Sequence, residues 1–230
     1  MKTLGITCID AYTYTPTIKA LRKTLETLDG IFDIKTVYWF SDIDFPESIE
    51  YNVNWVKVNR FKKYTDEYNY ITLKLLPHVA KEDYNLIIHA DGFAVNRNAW
   101  DPQFLDYDYI GARWPSGVVG NGGFCLRSKK LLDALLELDV GYKTSDFPED
   151  VINDYENYVF DAFGDKVIPE DNTICKIYRP TLEQNYGIKF PYGDIIDKFA
   201  IEHNMSSPWL GKSLGFHGKH GVASHYGIEL

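Results

Sequence analysis

The feature that most constrains the fold is the stretch LIIHADGF, residues 86–93, in which a short apolar segment runs directly into polar residues. The apolar residues predict a buried strand, which stops at His89 and Asp91 before Gly92 allows the backbone to turn. In an open α/β sheet, ligands bind in the crevice beyond the carboxyl ends of the strands. A partly solvated carboxylate at that place favours a bound cation. The alternative interpretation is that Asp91 only begins a turn, as Asp before Gly often does.

Strand, helix and strand alternate in the N-terminal part of the chain, and this βαβ opening predicts a parallel sheet. The two strands are expected at residues 4–9 and 34–40. Between them, Thr15 is expected to cap an amphipathic helix that begins at Pro16. The loop at residues 10–14 then falls at the ligand edge of the sheet, where it either contacts a nucleobase or makes ordinary turns.

Hydrophobic patterning predicts further strands and helices along the rest of the chain. Together with the βαβ opening, these elements predict an α/β fold with one central sheet. The additional strands are expected at residues 54–58, 109–112, 123–128 and 173–179, and the additional helices around residues 68–79, 131–138 and 195–200.

Length and composition predict one domain. The 230 residues suffice for one sizeable core, and no Pro-, Gly- or Ser-rich linker divides them. The formal net charge of -9 argues against a nucleic-acid partner, because gripping a phosphate backbone needs a basic stripe. No apolar run approaches the ~20 residues that cross a bilayer, and no signal-peptide pattern is present, so a soluble, cytoplasmic protein is expected. The widely spaced cysteines predict reduced thiols.

Two acidic segments offer further candidate ligands. Asp42 and Asp44 have DxD spacing, but Ser, Asp and Pro are common in loops, so solvated turn residues are favoured there. Farther along, Asp146 and Glu149 match an N-terminal capping box. Asp150 is not needed by that box and lies in the first turn of the predicted helix, where the helix dipole favours an ionised carboxylate. Asp150 is therefore the freer base.

A glycine-rich segment and a histidine-rich tail are the remaining candidates for a site. Residues 117–123 hold glycines on both sides of Asn121, which allow a ligand to approach the backbone closely, although a flexible hairpin also explains them. The tail, residues 204–230, is expected to fold over the site. A histidine among glycines can reach a metal held elsewhere, and His217 is the first candidate. Neither HExxH nor paired cysteines occur, so a self-contained zinc site is not expected.

One helix carries a separate polar stripe. Tyr70, Lys74 and His78 recur at spacing four on the helix expected around residues 68–79. A lysine there is able to reach a diphosphate, whereas a solvated lysine is the commoner case. Both interpretations stay open.

Six segments in order resemble GT-A type glycosyltransferases, and within them a sparsely characterised family of unknown function. They are YNYITLKLLPHV, HADGFAVNRNAWDPQFLDYDYIGARWP, VGNGGFCLRSKKLLDAL, PEDV, GIKF and GFHGKH, which lie within residues 68–220. Each segment alone is weak. In this order and spacing the six segments identify the family fairly specifically, but they say much less about which sugar is transferred. The resemblance implies a single GT-A (Rossmann-like) domain over residues 1–230, with a mixed, mostly parallel sheet flanked by helices.

The resemblance also implies a set of site residues. HAD is similar to the DxD metal motif, although His89 replaces the first carboxylate, so the implied ligands of Mn²⁺ or Mg²⁺ are Asp91, His217 and His89. PEDV resembles the acidic pair that precedes the acceptor helix, which maps to Glu149 and Asp150, with Asp150 as the base. The residues expected to contact the donor or to line the sugar and acceptor side are Thr7, Ile9, Asp10, Tyr70, Lys74, Ala90, Asn121, Gly122, Gly123 and Lys219.

The implied activity is hexosyltransferase-like. A sugar would pass with inversion from a nucleotide-diphosphate sugar, with uridine as the expected base, to a glycan or other hydroxyl acceptor. A divalent cation and a nearby Lys or Arg would stabilise the charge on the departing phosphate. Two other functions stay open. One is a noncatalytic nucleotide-sugar or glycan-binding module, which the altered DxD motif favours. The other is a sugar nucleotidyltransferase, although CIDAYTYTP lacks the Gly-rich signature that such enzymes carry after the first strand.

Overall fold

The fold was obtained as a computed structural model, which describes residues 1–63, 67–152, 159–160, 164–218 and 220–230, without the side chains of Asp150 and His220. Its centre is a six-stranded sheet. The strands of this sheet are β1 (Thr3–Ile9), β2 (Asp33–Ser41), β3 (Asn52–Lys57), β4 (Tyr84–Ile88), β6 (Tyr109–Gly111) and β7 (Phe124–Ser128). Their order is β3-β2-β1-β4-β7-β6. The pairs among β1 to β4 are parallel, and those of β7 with β4 and β6 are antiparallel. The prediction of a mixed, mostly parallel sheet is confirmed.

A second, three-stranded sheet lies beside the carboxyl end of β4. It contains β5 (Gly92–Ala94), β10 (Ala200–Ile201) and β11 (Gly215–His217), in the order β10-β11-β5. The two residues His89 and Gly92 exchange both backbone hydrogen bonds, at 2.8 and 3.2 Å, so the chain passes from β4 to β5 through a tight turn. In the antiparallel pairing of β11 with β5, His217 lies opposite Gly92. Strands β8 (Val159–Phe160) and β9 (Lys166–Val167) form a separate pair.

Helices cover both faces of the main sheet. Leu86 and Ile88 point to one face, where Leu21 of the first helix packs, and Ile87 points to the other, where Ile71 and Leu131 pack. This alternation follows from the two-residue period of a strand. The helices are α1 (Thr15–Leu28), α2 (the consecutive pieces Tyr68–Tyr70, Ile71–Leu75 and Leu76–Val79, the middle one a π-helix), α3 (Lys129–Glu137), α4 (Glu149–Ile152), α5 (Glu170–Asn172, continued as the π-helix Thr173–Ile177), α6 (Arg179–Tyr186), α7 (Ile195–Phe199) and α8 (His220–Ala223). Among the described residues, no helix combines the length and apolarity that crossing a bilayer requires.

The strand expected at residues 173–179 is wrong, because this stretch is helical from Thr173 to Ile177 and again from Arg179. Its apolar run is too short for periodicity to separate a buried strand from a buried helix. Two other signals favour a helix: Glu170 and Asp171 lie in the first turn of α5, and a proline lies in the first turn of α6.

Both predicted helix caps differ from the structure. Thr15 is the first residue of α1, and Tyr14, at the N-cap position, makes no capping bond through its side chain. The loop before α1 is instead held by the Asp10 carboxylate, which accepts hydrogen bonds from the backbone N–H groups of residues 12, 13 and 14 at 2.8 to 2.9 Å. Asp146 accepts from the N–H groups of Tyr142 and Lys143, both at 2.9 Å. It therefore closes the turn before α4 and does not cap that helix.

Candidate active site

Three side chains with metal-ligating atoms meet at the carboxyl end of β4. His89 and Asp91 belong to the turn between β4 and β5, and His217 is the last residue of β11. One ligand atom from each lies within 4.8 Å of the other two, and Nε2 of His217 is 3.6 Å from Oδ1 of Asp91. The described part of the chain holds no second group of this kind. Residues far apart in sequence are thus brought to the edge where open α/β sheets bind ligands.

Glycines form the wall against which His217 packs. A Cβ atom on Gly123 or on Gly92 would clash with the imidazole of His217. The Asn121 side chain fixes this segment, since its Oδ1 accepts a hydrogen bond of 3.0 Å from the Gly123 N–H. The glycine-rich segment is predicted to let a ligand approach the backbone closely, and in the structure the protein's own His217 imidazole packs there.

Each imidazole has a polar partner on one ring nitrogen. The Tyr68 hydroxyl, at the start of α2, lies 2.7 Å from Nε2 of His89. Oε1 of Glu202, which follows β10 directly, lies 3.0 Å from Nδ1 of His217. The Glu202 side chain is only 12% exposed, and His203 lies 3.0 Å from its second oxygen. Such partners set the orientation and the tautomer of a ligating imidazole.

The pKa values of the two imidazoles are shifted in opposite directions. Burial, together with the charges of His217 and Arg127, lowers the pKa of His89 well below 6.5, so its ring is neutral. Burial by itself also lowers the pKa of His217, but the hydrogen bond and charge of Glu202, and then the charge of Asp91, raise it overall. A neutral imidazole, a carboxylate, and an imidazole backed by a carboxylate are a donor set that fits a divalent cation. The His217 ring lies directly against the glycines at residues 92 and 123.

A buried ion pair lies behind the glycines. Nη2 of Arg127, on β7, is 2.5 Å from Oε2 of Glu170, and both side chains are almost completely buried. A Cβ atom on Gly122 would clash with the Glu170 carboxylate, so this glycine makes room for it. Burial raises the pKa of Glu170 to about 7, although Arg127 opposes the shift. The pair joins β7 to the start of α5.

Asp171 is a residue that the sequence analysis missed. Its carboxylate accepts hydrogen bonds from the backbone and side chain of Asn172, at 2.7 and 3.0 Å. Its pKa is raised by burial and also by the charge of Glu202, and its own charge helps to raise the pKa of His217. Asp171 therefore lies within electrostatic range of the candidate ligands. The tripeptide PED occurs twice, at residues 148–150 and 169–171, and the family resemblance points to the first.

Of the other predicted catalytic and phosphate-binding residues, the structure describes the side chains of Glu149 and Lys74. Glu149 is exposed at the start of α4, and the side chain of Asp150, the predicted base, lies outside the described part of the chain. Lys219 also lies outside the described residues. Nζ of Lys74 is 2.5 Å from a carboxylate oxygen of Asp139.

The residues predicted around the first strand lie mostly in the interior. Thr7 is completely buried, and its hydroxyl donates a hydrogen bond of 2.7 Å to Oδ1 of Asn85. Ile9 is also buried, and the Asp10 carboxylate is used by its own loop. Tyr70 is 44% exposed on α2. Ala90 lies between His89 and Asp91, and so belongs to the site by position.

Comparison with known proteins adds a family and a fold. A sequence profile described as "Protein of unknown function (DUF5672)" matches residues 51–217, a range that includes the three candidate ligands. No curated protein sequence matches the chain.

Among solved structures, the apo-form glycosyltransferase GlyE of Streptococcus pneumoniae TIGR4 is similar, with a TM-score of 0.52 and 13% sequence identity. The match covers 95% of this chain and 54% of GlyE, so this chain spans about half the length of that protein. A second GlyE structure gives a TM-score of 0.48 at 15% identity over the same shares. The galactosyltransferase LgtC, in complex with donor and acceptor sugar analogs, gives 0.40 at 11% identity, covering 95% of this chain and 87% of LgtC. The likeness to apo GlyE shows the fold alone, which is GT-A-like.

Proposed function

We propose that this chain, which belongs to the family described as "Protein of unknown function (DUF5672)", is a metal-assisted glycosyltransferase. The donor is a nucleotide-diphosphate sugar, with uridine as the expected base, and the acceptor is a hydroxyl group of a glycan or of another molecule. The observation that carries this proposal is the group of His89, Asp91 and His217 at the carboxyl end of β4. On a GT-A-like sheet, this edge is the place where a nucleotide ligand is expected.

Asp91, His217 and His89 would hold the cation. Mn²⁺ or Mg²⁺, when bound, would stabilise the negative charge that develops on the departing diphosphate. Asp91 supplies the formal charge toward the cation, and Glu202 supplies a second carboxylate behind His217, 3.0 Å from its Nδ1. Lys219 is proposed as the positive side chain near the phosphates.

The remaining predicted residues would line the substrate site or position the loops that do so. Asn121, Gly122 and Gly123 would line the sugar and acceptor side, with Ala90 beside them in the turn. The buried Asp10 carboxylate keeps the loop at residues 10–14 in one conformation, which suits a surface for the nucleobase. Buried Thr7 and Ile9 would position this loop through β1, the strand that carries it. Tyr70 and Lys74 would contact the donor from α2.

Two carboxylates are candidates for the base that accepts the proton of the attacking hydroxyl. Asp150, with Glu149 beside it, stays the prediction from sequence. Asp171 is supported by its electrostatic coupling to His217 and Glu202. Burial raises the pKa of Asp171, and a raised pKa makes a carboxylate a better proton acceptor near neutral pH.

A donor panel tests the proposed function. The purified protein is incubated with nucleotide-diphosphate sugars, Mn²⁺ and hydroxyl acceptors, and release of the nucleoside diphosphate is measured. One donor is expected to turn over, with loss of the reaction in chelator and in Asp91→Ala. Transfer that is undiminished by both treatments would refute the metal-assisted mechanism. Donor binding in calorimetry without turnover of any donor would favour the noncatalytic module.

Matched variants identify the base. Asp171→Asn and Asp150→Asn each remove one carboxylate and keep its size. We expect the variant that lacks the base to lose roughly 100-fold or more of kcat at saturating donor, because general-base catalysis contributes about 100- to 10,000-fold. The other variant serves as the control. Near wild-type turnover in Asp171→Asn would exclude Asp171, and the same result in Asp150→Asn would exclude Asp150.

A further inference from the structure

The donor set of the candidate metal site is rich in nitrogen. Two of its three side chains are imidazoles, and Asp91 is its one carboxylate. Imidazole nitrogen suits Zn²⁺, Ni²⁺ and other borderline transition-metal ions, whereas Mg²⁺ and Ca²⁺ prefer carboxylate, carbonyl and water oxygens. Ca²⁺ takes ~6 to 8 oxygen ligands and Mg²⁺ demands near-ideal octahedral geometry. The site offers such hard cations little protein oxygen.

The partners of the two imidazoles strengthen this nitrogen character. The Glu202 carboxylate lies 3.0 Å from Nδ1 of His217, while Nε2 of the same ring faces Asp91 at 3.6 Å. A carboxylate behind a ligating imidazole fixes the ring and makes it a stronger donor. His89 is oriented in a similar way by the Tyr68 hydroxyl, 2.7 Å from Nε2.

The position of the His217 ring is set by the backbone around it. The glycines at residues 92 and 123 allow the ring to lie against main-chain atoms, where any larger residue would clash with it. His217 pairs with Gly92 across β5 and β11, and the Gly218 N–H donates a hydrogen bond of 2.8 Å to the Asp91 carbonyl. The nitrogen donor and the carboxylate are therefore held together before any ion arrives.

We propose that this site selects borderline transition-metal ions, with Co²⁺, Ni²⁺ and Zn²⁺ bound most tightly and Mn²⁺ less tightly, over Mg²⁺ and Ca²⁺. The inference rests on the metal site of the proposed function, and it does not require that the protein transfers a sugar. It narrows the choice between Mn²⁺ and Mg²⁺ by disfavouring Mg²⁺.

Titration calorimetry of the metal-free wild-type protein with each cation separately tests the selectivity. We expect one ion per chain and Co²⁺ and Zn²⁺ affinities at least about tenfold above that for Mg²⁺. The visible absorption bands of bound Co²⁺ report its coordination geometry and ligand field, which change when a nitrogen donor is replaced by oxygen. Mg²⁺ binding as tight as that of Co²⁺ and Zn²⁺ would overturn the selectivity. Failure of every cation to bind would remove the metal site itself.

A matched pair of histidine variants tests the role of His89. His89→Asp replaces one nitrogen donor by oxygen, and we expect the preference to move toward Mg²⁺ and Mn²⁺ with a change in the Co²⁺ spectrum. His78→Asp makes the same substitution at an exposed position of α2, ~15 Å along the helix from Tyr68, and should leave both unchanged. An unaltered preference in folded His89→Asp would show that His89 is not a ligand.

The wild-type titrations keep the test decisive even if a variant fails to fold. Selective binding of Co²⁺ and Zn²⁺ without turnover of any donor would leave this inference standing and contradict the proposed function. If Mg²⁺ bound as tightly as Co²⁺ and Zn²⁺ and supported sugar transfer equally well, the proposed function would stand and this inference would be contradicted.

Discussion

Several residues of the candidate site matter because they lack a side chain. Gly123 and Gly92 leave space for the imidazole of His217, and Gly122 leaves space for the Glu170 carboxylate. These glycines are close neighbours of charged or ligating groups, and glycine is the residue that permits such an approach of the backbone. A methyl group at any of the three would displace a neighbouring His217 or Glu170 side chain without replacing any ligating or charged group.

Gly123→Ala is expected to weaken cation binding while the fold is retained. The added Cβ would displace the His217 ring, and we expect Co²⁺ affinity to fall by roughly 10- to 100-fold, the loss found when the support of a ligand is disturbed. Overpacking should also lower the free energy of unfolding by about 1–3 kcal/mol. Calorimetry and thermal melting measure the two effects.

Gly221→Ala is the control for this variant, because a Cβ at Gly221 would meet no atom of the described residues within 4 Å beyond its chain neighbours and its own helix backbone. It should bind Co²⁺ as the wild type does. Wild-type affinity in Gly123→Ala would contradict the tight packing of His217 on which the donor geometry depends.

Sequence reasoning at this scale selects the three candidate ligands but not the residues that support them. His89, Asp91 and His217 were found because a polar residue at a strand end and a histidine among glycines are local patterns. Glu202 and Asp171 act on His217 through the fold, and no local pattern links residues so far apart. The repeated PED tripeptide was the available signal for Asp171, but two identical tripeptides do not tell which of them faces the site.

At the scale of elements, one carboxylate reinforces the alignment of β1 with β4 that their parallel backbone pairing sets. Asp83, which precedes β4, accepts hydrogen bonds from the Thr3 N–H and from the Thr3 hydroxyl, both at 2.9 Å, and lies 3.3 Å from Nζ of Lys2. These bonds, with the backbone N–H of Thr3 first, lower the pKa of Asp83 below 3.8. The two strands carry the loop at residues 10–14 and the turn with Asp91, so this alignment positions both parts of the site.

Asp83→Asn is expected to reduce stability in a pH-dependent way. The pKa of Asp83 is lower in the folded than in the unfolded protein, so its contribution is present above the unfolded value, about 3.9, and is lost as the pH falls through the folded value. The variant should therefore be less stable than the wild type at pH ~7, and the difference should shrink below pH ~4. Urea unfolding of both proteins across this range measures it.

Asp133→Asn provides the comparison for Asp83→Asn. Asp133 is exposed on α3, where it pairs with Lys129, and exposed ion pairs contribute little. Its effect on the free energy of unfolding should be small at every pH. A difference for Asp83→Asn that stays constant from neutral to acidic pH would mean that the carboxylate does not carry the effect.

The elements themselves were predicted well where periodicity is long and poorly where it is short. Helix α1 repeats its apolar face over several turns, and the predicted helix is confirmed at Thr15–Leu28. The segment Thr173–Ile177 offers only one turn of pattern, and its burial comes from packing against other elements, so its β-like composition was misleading. The predicted cap of α1 is also wrong, because the loop before this helix is held by Asp10, which reaches forward from the end of β1.

At the scale of the whole molecule, the candidate ligands join two sheets. His89 and Asp91 lie in the turn that leaves the six-stranded sheet, and His217 lies on β11 of the three-stranded sheet. The direct polar link between the two sides includes the hydrogen bond from the Gly218 N–H to the Asp91 carbonyl. A cation bound by all three side chains would add a further link at the same place. Binding should therefore stabilise the whole folded protein and should stabilise β11 more than the rest.

Cation binding is therefore expected to slow amide hydrogen exchange in β11 and at Gly218. A cation that binds only the folded protein adds RT ln(1 + [L]/Kd) to its stability, or about 2.7 kcal/mol at 100 times Kd. The melting temperature should rise accordingly, and β11 should gain protection beyond that global effect because its last residue, His217, is the proposed ligand. In His217→Ala both changes should disappear, while edge strand β3 should gain no local protection in either protein. If saturating Co²⁺ protected β3 and β11 equally, the ion would not be bridging the two sheets, and His217 would have to be removed from the ligand set.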